Sequence, residues 1–133
     1  MMFYFPKKDL TKNSEPIVFI HGTGMDHSVW TLPVRYFLRK SRDVLAIDLP
    51  GHGKSPGKPI SSITGFSDKI FKLLNDNSIN SFSIVGHSMG SLIALEMASS
   101  QPKRVKAMSL IGTAFPMQVN KHLLEYAKSD VQK

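Results

Sequence analysis

The run Gly86-His87-Ser88-Met89-Gly90 sets one serine midway between two glycines, directly after the apolar stretch Phe82-Ser83-Ile84-Val85 and directly before a helical pattern. A strand that turns into a helix within about one residue forces the turning residue into a strained backbone and leaves its hydroxyl exposed at the end of a sheet. A serine held in this way is presented as a nucleophile. Side chains at positions 86 and 90 would clash in so tight a turn, so Gly86 and Gly90 are structural requirements. Met89 opens the helix, and its backbone N–H, unpaired within the helix, points at the substrate oxygen. Acyl transfer needs a second such donor from the loop after an earlier strand. His21-Gly22-Thr23-Gly24 follows the apolar run Ile17–Ile20. There Gly22 lets the backbone come close to a ligand, and Thr23 is positioned to supply the N–H.

Other polar motifs read more plainly. Gly53-Lys54-Ser55 resembles the end of a phosphate-binding loop, but that motif requires a glycine where this chain has Asp48. Asp48-Leu49-Pro50-Gly51-His52-Gly53 is a sharp turn whose start is pinned by the Asp48 carboxylate. His21, His52 and His87 belong to turn motifs, and His27 is expected as a surface histidine at a helix start. His122 is expected as a solvated helix histidine. No set of residues has metal-ligand spacing, and no cofactor is implied.

The elements that must position these residues are legible as periodicity. Ile17–Ile20, Val44–Ile47, Phe82-Ser83-Ile84-Val85 and Val105–Ile111 are short β-rich apolar runs, and the first three suit strands buried on both faces of a parallel sheet. Between them lie helical stripes. Trp30, Val34, Phe37 and Leu38 form one, and Ile63, Phe66, Ile70, Leu73 and Leu74 another. Residues 89–98, apolar almost all round except Glu96, predict a buried helix. Alternating strands and helices predict an α/β fold, a mostly parallel sheet with helices on both faces. Three glycine-bearing loops follow strands directly, which is where ligands bind in such sheets. Residues 119–128 read as a polar helix, and residues 2–5 as the one candidate N-terminal strand.

Composition sets the outer bounds. With 133 residues, 41% hydrophobic and 20% charged, the chain is one globular domain, not a disordered or collagenous one. The absence of cysteine excludes a disulfide scaffold, a thiolate metal site and a cysteine nucleophile. The net charge of +7 comes from basic residues scattered in ones and twos, without aromatic interleaving. No nucleic-acid partner is therefore expected. No run approaches the length of a membrane helix, so no membrane association is expected, and the expected location is cytoplasmic.

These landmarks resemble the N-terminal half of the α/β-hydrolase fold superfamily. The resemblance is carried by Phe19-Ile20-His21-Gly22-Thr23-Gly24 with Trp30, by residues 48–55, by Ile84-Val85-Gly86-His87-Ser88-Met89-Gly90-Ser91, and by the stretch from Gln101 to Ala114. It covers residues 15–115, with residues 116–133 expected as the start of a lid or linking helix. It implies that Ser88 is the nucleophile and that Thr23 and Met89 form the oxyanion hole. The activity implied is hydrolysis of a small-molecule carboxylic ester, amide or thioester.

In this superfamily the acid and the histidine follow the nucleophile, on loops after later strands. Gly112-Thr113-Ala114-Phe115-Pro116 contains no carboxylate, and His122 is the only histidine after Ser88. The chain is thus expected to be incomplete: a fragment, a truncated reading frame or one half of a split protein, whose triad is completed by a second chain or a missing C-terminal half. A non-catalytic binding module that keeps the pocket is the alternative.

Overall fold

The computed structural model describes residues 1–6, 10, 14–122, 124 and 125. Its strands are β1 (Tyr4–Phe5), β2 (Ile17–Ile20), β3 (Val44–Ile47), β4 (Phe82–His87) and β5 (Val105–Ile111). Its helices are α1 (Thr31–Arg39), α2 (Ile63–Asp76) and α3 (Met89–Ser100), with a 3-10 turn over His27–Trp30 leading into α1. The strands form one sheet in the order β1-β3-β2-β4-β5. β3, β2, β4 and β5 are parallel, and β1 pairs antiparallel with β3. The expected α/β architecture is therefore the one observed.

Every residue of β2 and β3 is buried, because helices cover both faces of the sheet. On one face Trp30 and Val34 pack on Ile17, Phe19, Val44 and Ala46. On the other, α2 and α3 pack Phe66, Ile70, Leu74, Ile93 and Met97 against Val18, Ile20, Leu45, Ile47 and Ile84. The Trp30 indole N–H is buried with no acceptor among the described residues. That costs about 1–3 kcal/mol, set against ring packing on Phe19 at 5.2 Å.

Several expected boundaries move, among them the end of β4, which runs past Val85 to His87 because Gly86 and His87 stay paired with Leu110 and Ile111 of β5. Trp30, the first residue of the expected helical stripe, lies in the 3-10 turn, and α1 starts at Thr31, because Asp26 accepts the Ser28 N–H and caps that turn first. β1 is shorter than residues 2–5, because Phe3 is tied to a loop: its N–H donates to Ser55 Oγ (2.7 Å) and its carbonyl accepts the Asp48 N–H (2.9 Å). Of the polar helix expected over residues 119–128, Lys121, His122, Leu124 and Glu125 are helical, and Asn120 Oδ1 caps the His122 N–H at 2.9 Å. Residues 123 and 126–128 lie outside the described residues. No helix among the described residues is long and apolar enough to cross a membrane.

The chain leaves β2 for β3 on one side and then crosses back past β2 to β4. The carboxyl ends of β2 and β4 thus flank the topological switch point, where α/β sheets open a crevice for ligands.

Among the described residues β5 is the edge strand on its side, and Met108 and Ile111 on it are exposed. An unpaired edge carrying apolar residues templates association. In sedimentation velocity the 133-residue chain should show concentration-dependent association, and Met108→Lys should reduce it while changing stability by no more than about 0.5 kcal/mol. A monomer at all concentrations would rule out this role for the edge.

Candidate active site

Ser88 sits between β4 and α3 with φ 52° and ψ −119°, outside the regions that ordinary residues favour. Such a conformation costs of order 1–3 kcal/mol and persists only where the surroundings over-determine it. They do so here. The Ser88 N–H donates to the Ile111 carbonyl at 2.9 Å, and the Ser88 carbonyl accepts both the Ser91 N–H (2.9 Å) and the Ser91 hydroxyl (2.5 Å). The side chain is half-buried at the sheet end.

The glycines are explained by what a methyl group would meet. A Cβ on Gly86 would strike the Gly90 carbonyl oxygen and approach Ser91 Cα to 2.7 Å. A Cβ on Gly90 would strike the Ile20 carbonyl oxygen and approach that of His21 to 2.7 Å. A Cβ on Gly22 would lie 3.2 Å from Ser88 Cβ, so the loop after β2 lies directly against the serine.

Thr23 and Met89 are brought together as well: the Thr23 hydroxyl donates to Met89 Sδ at 3.3 Å. Among the described residues, neither backbone N–H has an acceptor within the protein. Gly22, Gly86 and Gly90 are buried, Met89 half-buried and Thr23 exposed.

His21 has a larger part than a turn residue. It is fully buried, with Nδ1 2.7 Å from the Gly22 carbonyl and Nε2 accepting the Leu49 N–H at 3.0 Å. That pattern assigns the neutral tautomer with its proton on Nδ1. The Gly22 carbonyl and the Thr23 N–H belong to one trans peptide and point in opposite directions. Holding the carbonyl against His21 therefore fixes the direction of the Thr23 N–H. The only signal in the sequence is a histidine placed directly after a continuously apolar strand.

Asp48 matches its expected role as the pin of a turn, and does more. Its fully buried carboxylate accepts the His27 N–H (2.6 Å), His27 Nδ1 (2.9 Å) and the Lys54 N–H (2.7 Å), and its carbonyl accepts the Ser55 hydroxyl (2.6 Å). The Gly53-Lys54-Ser55 turn thus wraps a carboxylate of its own chain. His27 does stand at a helix start but is not a free surface residue, because this carboxylate and the Phe3 ring, 5.0 Å away, hold it. The fold also brings Asp26, His27 and Asp48 within 4.8 Å of one another, a grouping their spacing does not announce. Asp26 Oδ1 accepts the Ser28 N–H and the two Asp48 oxygens accept the N–H groups of His27 and Lys54, so hydrogen bonding accounts for the arrangement.

Among the described residues, the Ser88 hydroxyl has no histidine or carboxylate partner; its one side-chain hydrogen-bond contact is to Met117 Sδ at 3.8 Å. His122 is exposed and lies 3.8 Å from Glu125.

The pattern of an α/β-hydrolase fold matches residues 15–131. The chain belongs to the α/β-hydrolase fold family. It is 32% identical over 102 residues to an (E)-2-((N-methylformamido)methylene)succinate hydrolase of Acinetobacter baylyi, covering 76% of this chain and 38% of that protein. It is 37% identical over 101 residues to a dihydrolipoyllysine-residue acetyltransferase component of the acetoin cleaving system of Pseudomonas putida, covering 74% of this chain and 27% of that one. A solved carboxylesterase structure from the thaumarchaeon Nitrososphaera gargenis superposes with a TM-score of 0.76 at 28% identity, covering 96% of this chain and 47% of that one. Further relatives carry the names of lipases and esterases. The α/β-hydrolase chain thus spans less than half the length of these three proteins.

Two outcomes follow from this geometry. Gly90→Ala should cost about 1–3 kcal/mol or more in urea unfolding, because backbone carbonyls cannot yield as side chains do; a neutral Gly90→Ala would contradict the close approach. Burial is the largest influence on His21 and lowers its pKa below the usual 6.5. As pH falls the unfolded chain therefore takes up this proton first, so the stabilisation is complete above about pH 6.5 and declines below it. His21→Gln keeps an acceptor for Leu49 but does not titrate, and should flatten the fall in stability between about pH 7 and about pH 5. An identical slope in both proteins would show that His21 is not buried neutral.

Proposed function

We propose that Ser88 is the nucleophile of a serine hydrolase acting on a small-molecule carboxylic ester, amide or thioester. The observation that carries this reading is the φ of 52° at Ser88, held between β4 and α3 with the Gly22 loop against it. In this reading Ser88 Oγ attacks the acyl carbon, and the oxygen that gains the charge is held by the backbone N–H groups of Thr23 and Met89. Relatives named as hydrolases, lipases and esterases support the reaction class.

The hydroxyl proton must pass to a base within hydrogen-bond reach, about 2.6–3.2 Å. No described histidine stands there, so the base and its acid partner are assigned to the part of the fold beyond this chain's span of its relatives. That part belongs either to a longer form of the protein or to a second chain. The alternative, a non-catalytic binding module, draws on the same missing partner at Ser88 Oγ.

Oxyanion donors and binding alone leave about 10³–10⁴ over water in a complete enzyme whose triad is disabled. A half-sheet should hold those donors less well. The 133-residue chain should therefore hydrolyse activated esters no faster than its Ser88→Ala variant, and should not take up a serine-directed phosphonate. A form extended through the later strands should be labelled stoichiometrically at Ser88. An extended form that stays unlabelled would favour the binding module; labelling of the short chain, lost in Ser88→Ala, would show that the base lies within it.

A further inference from the structure

A cavity of about 410 Å³ lies between α2, the 50–60 loop and the N-terminal Met1 and Met2. It shares no lining residue with the loops around Ser88, being lined by residues of 1–2, 50–60 and 69–76. Its size falls within the roughly 300–1,000 Å³ of small-molecule sites. The interior is aliphatic: Met2, Pro50, Pro56, Ile60 and Leu73 contribute to it.

The walls are built rather than accidental. The loop that forms one side is fastened by Ser55, which donates to the Asp48 carbonyl (2.6 Å) and accepts the Phe3 N–H (2.7 Å). Gly51, at φ +75°, lies so close to Pro59 that a Cβ there would collide with it. Two prolines, Pro56 and Pro59, stiffen the same loop. That side of the cavity is thus held in place before a ligand arrives.

The lining charge is one-sided. Lys58, Lys69 and Lys72 line the cavity against a single acid, Asp76. Lys72 is shared with Asp76 at 3.2 Å, whereas Lys58 and Lys69 have no ion-pair partner among the described residues. An aliphatic interior beneath lysines is complementary to a molecule with an anionic head and an apolar tail, and the net charge of +7 favours its approach.

We infer that this cavity is a second binding site, separate from the Ser88 site, for a small anionic amphiphile: a carboxylate with an unbranched aliphatic tail of medium length. The tail lies among Met2, Pro50, Pro56, Ile60 and Leu73. The carboxylate meets Lys69 and Lys58, and Asp76 disfavours a second negative charge at the head. The inference does not depend on Ser88 being a nucleophile.

The test is calorimetry of the 133-residue chain with octanoate, 1-octanol and acetate, joined to NMR of its methionine methyl groups. Octanoate should bind with unit stoichiometry, 1-octanol several-fold more weakly, and acetate not measurably. Met2 lines the cavity while Met89 and Met117 flank Ser88, so octanoate should shift the Met2 methyl and leave those of Met89 and Met117 in place. Lys58→Glu with Lys69→Glu changes two exposed residues outside the core. It should weaken octanoate roughly tenfold and leave 1-octanol unchanged, with the thermal melt as a check on folding. Absence of octanoate binding, equal affinity for octanoate in the double variant, or shifts at Met89 and Met117 in place of Met2 would each overturn the inference.

Discussion

The close approach of α3 to the carboxyl end of β2 is the constraint on which the rest of the site depends. Gly90 lies against the Ile20 and His21 carbonyls with no room for a methyl group, and Gly86 lies as tightly against Gly90. A helix packed so near the sheet cannot be entered through an ordinary loop. The chain must turn at one residue, and Ser88 takes the unfavourable backbone conformation that this demands. The strain is local and the support is distributed: Ile111, at the end of β5, holds the Ser88 N–H, and Ser91, one turn into α3, holds its carbonyl. Strand order then sets what lies opposite. Because β2 and β4 are neighbours at the switch point, the loop after β2 comes to rest on the serine.

A second layer of constraint is polar and buried. A buried carboxylate is tolerable only when its lone pairs are met by donors. Asp48 finds them in His27 and Lys54, and so joins the segment after β2 to the turn after β3. His21 makes a parallel connection through Leu49. Phe3, bonded to Asp48 and Ser55, brings the N-terminal segment into the same network. The loops at the carboxyl end of the sheet are therefore one hydrogen-bonded body, and the direction of the Thr23 N–H is a property of that body rather than of a flexible glycine turn. A network of this kind is costly to disturb, because each broken contact leaves a buried polar group without a partner.

The family assignment and the geometry meet at Ser88. The described residues place a strained serine and two unpaired N–H groups side by side, and place no histidine or carboxylate on the serine hydroxyl.

Much of this was already legible in the sequence, for a physical reason. Continuous apolar runs such as Ile17–Ile20 and Val44–Ile47 suit strands buried on both faces of a parallel sheet, and a Gly-x-Ser-x-Gly run between a strand and a helix permits few backbone paths. Fold class, the turn at Ser88, the roles of Gly86 and Gly90 and the pinning of the 48–55 turn by Asp48 were local matters of pattern and sterics. The boundaries at Trp30 and Phe3 were not, because a cap on Asp26 and a hydrogen bond to Ser55 compete there with periodicity. Nor was His21 as the clamp of the Gly22–Thr23 peptide, the capture of His27 by Asp48, or the lysine-rimmed cavity beside α2. Each of these joins residues far apart in the chain: His21 with Leu49, His27 with Asp48, Met2 with Leu73. A histidine has the same spacing to its neighbours whether its ring faces water or a distant N–H. Only the packing of strands into one sheet decides which, because the free energy of a buried polar group depends on what lies across from it.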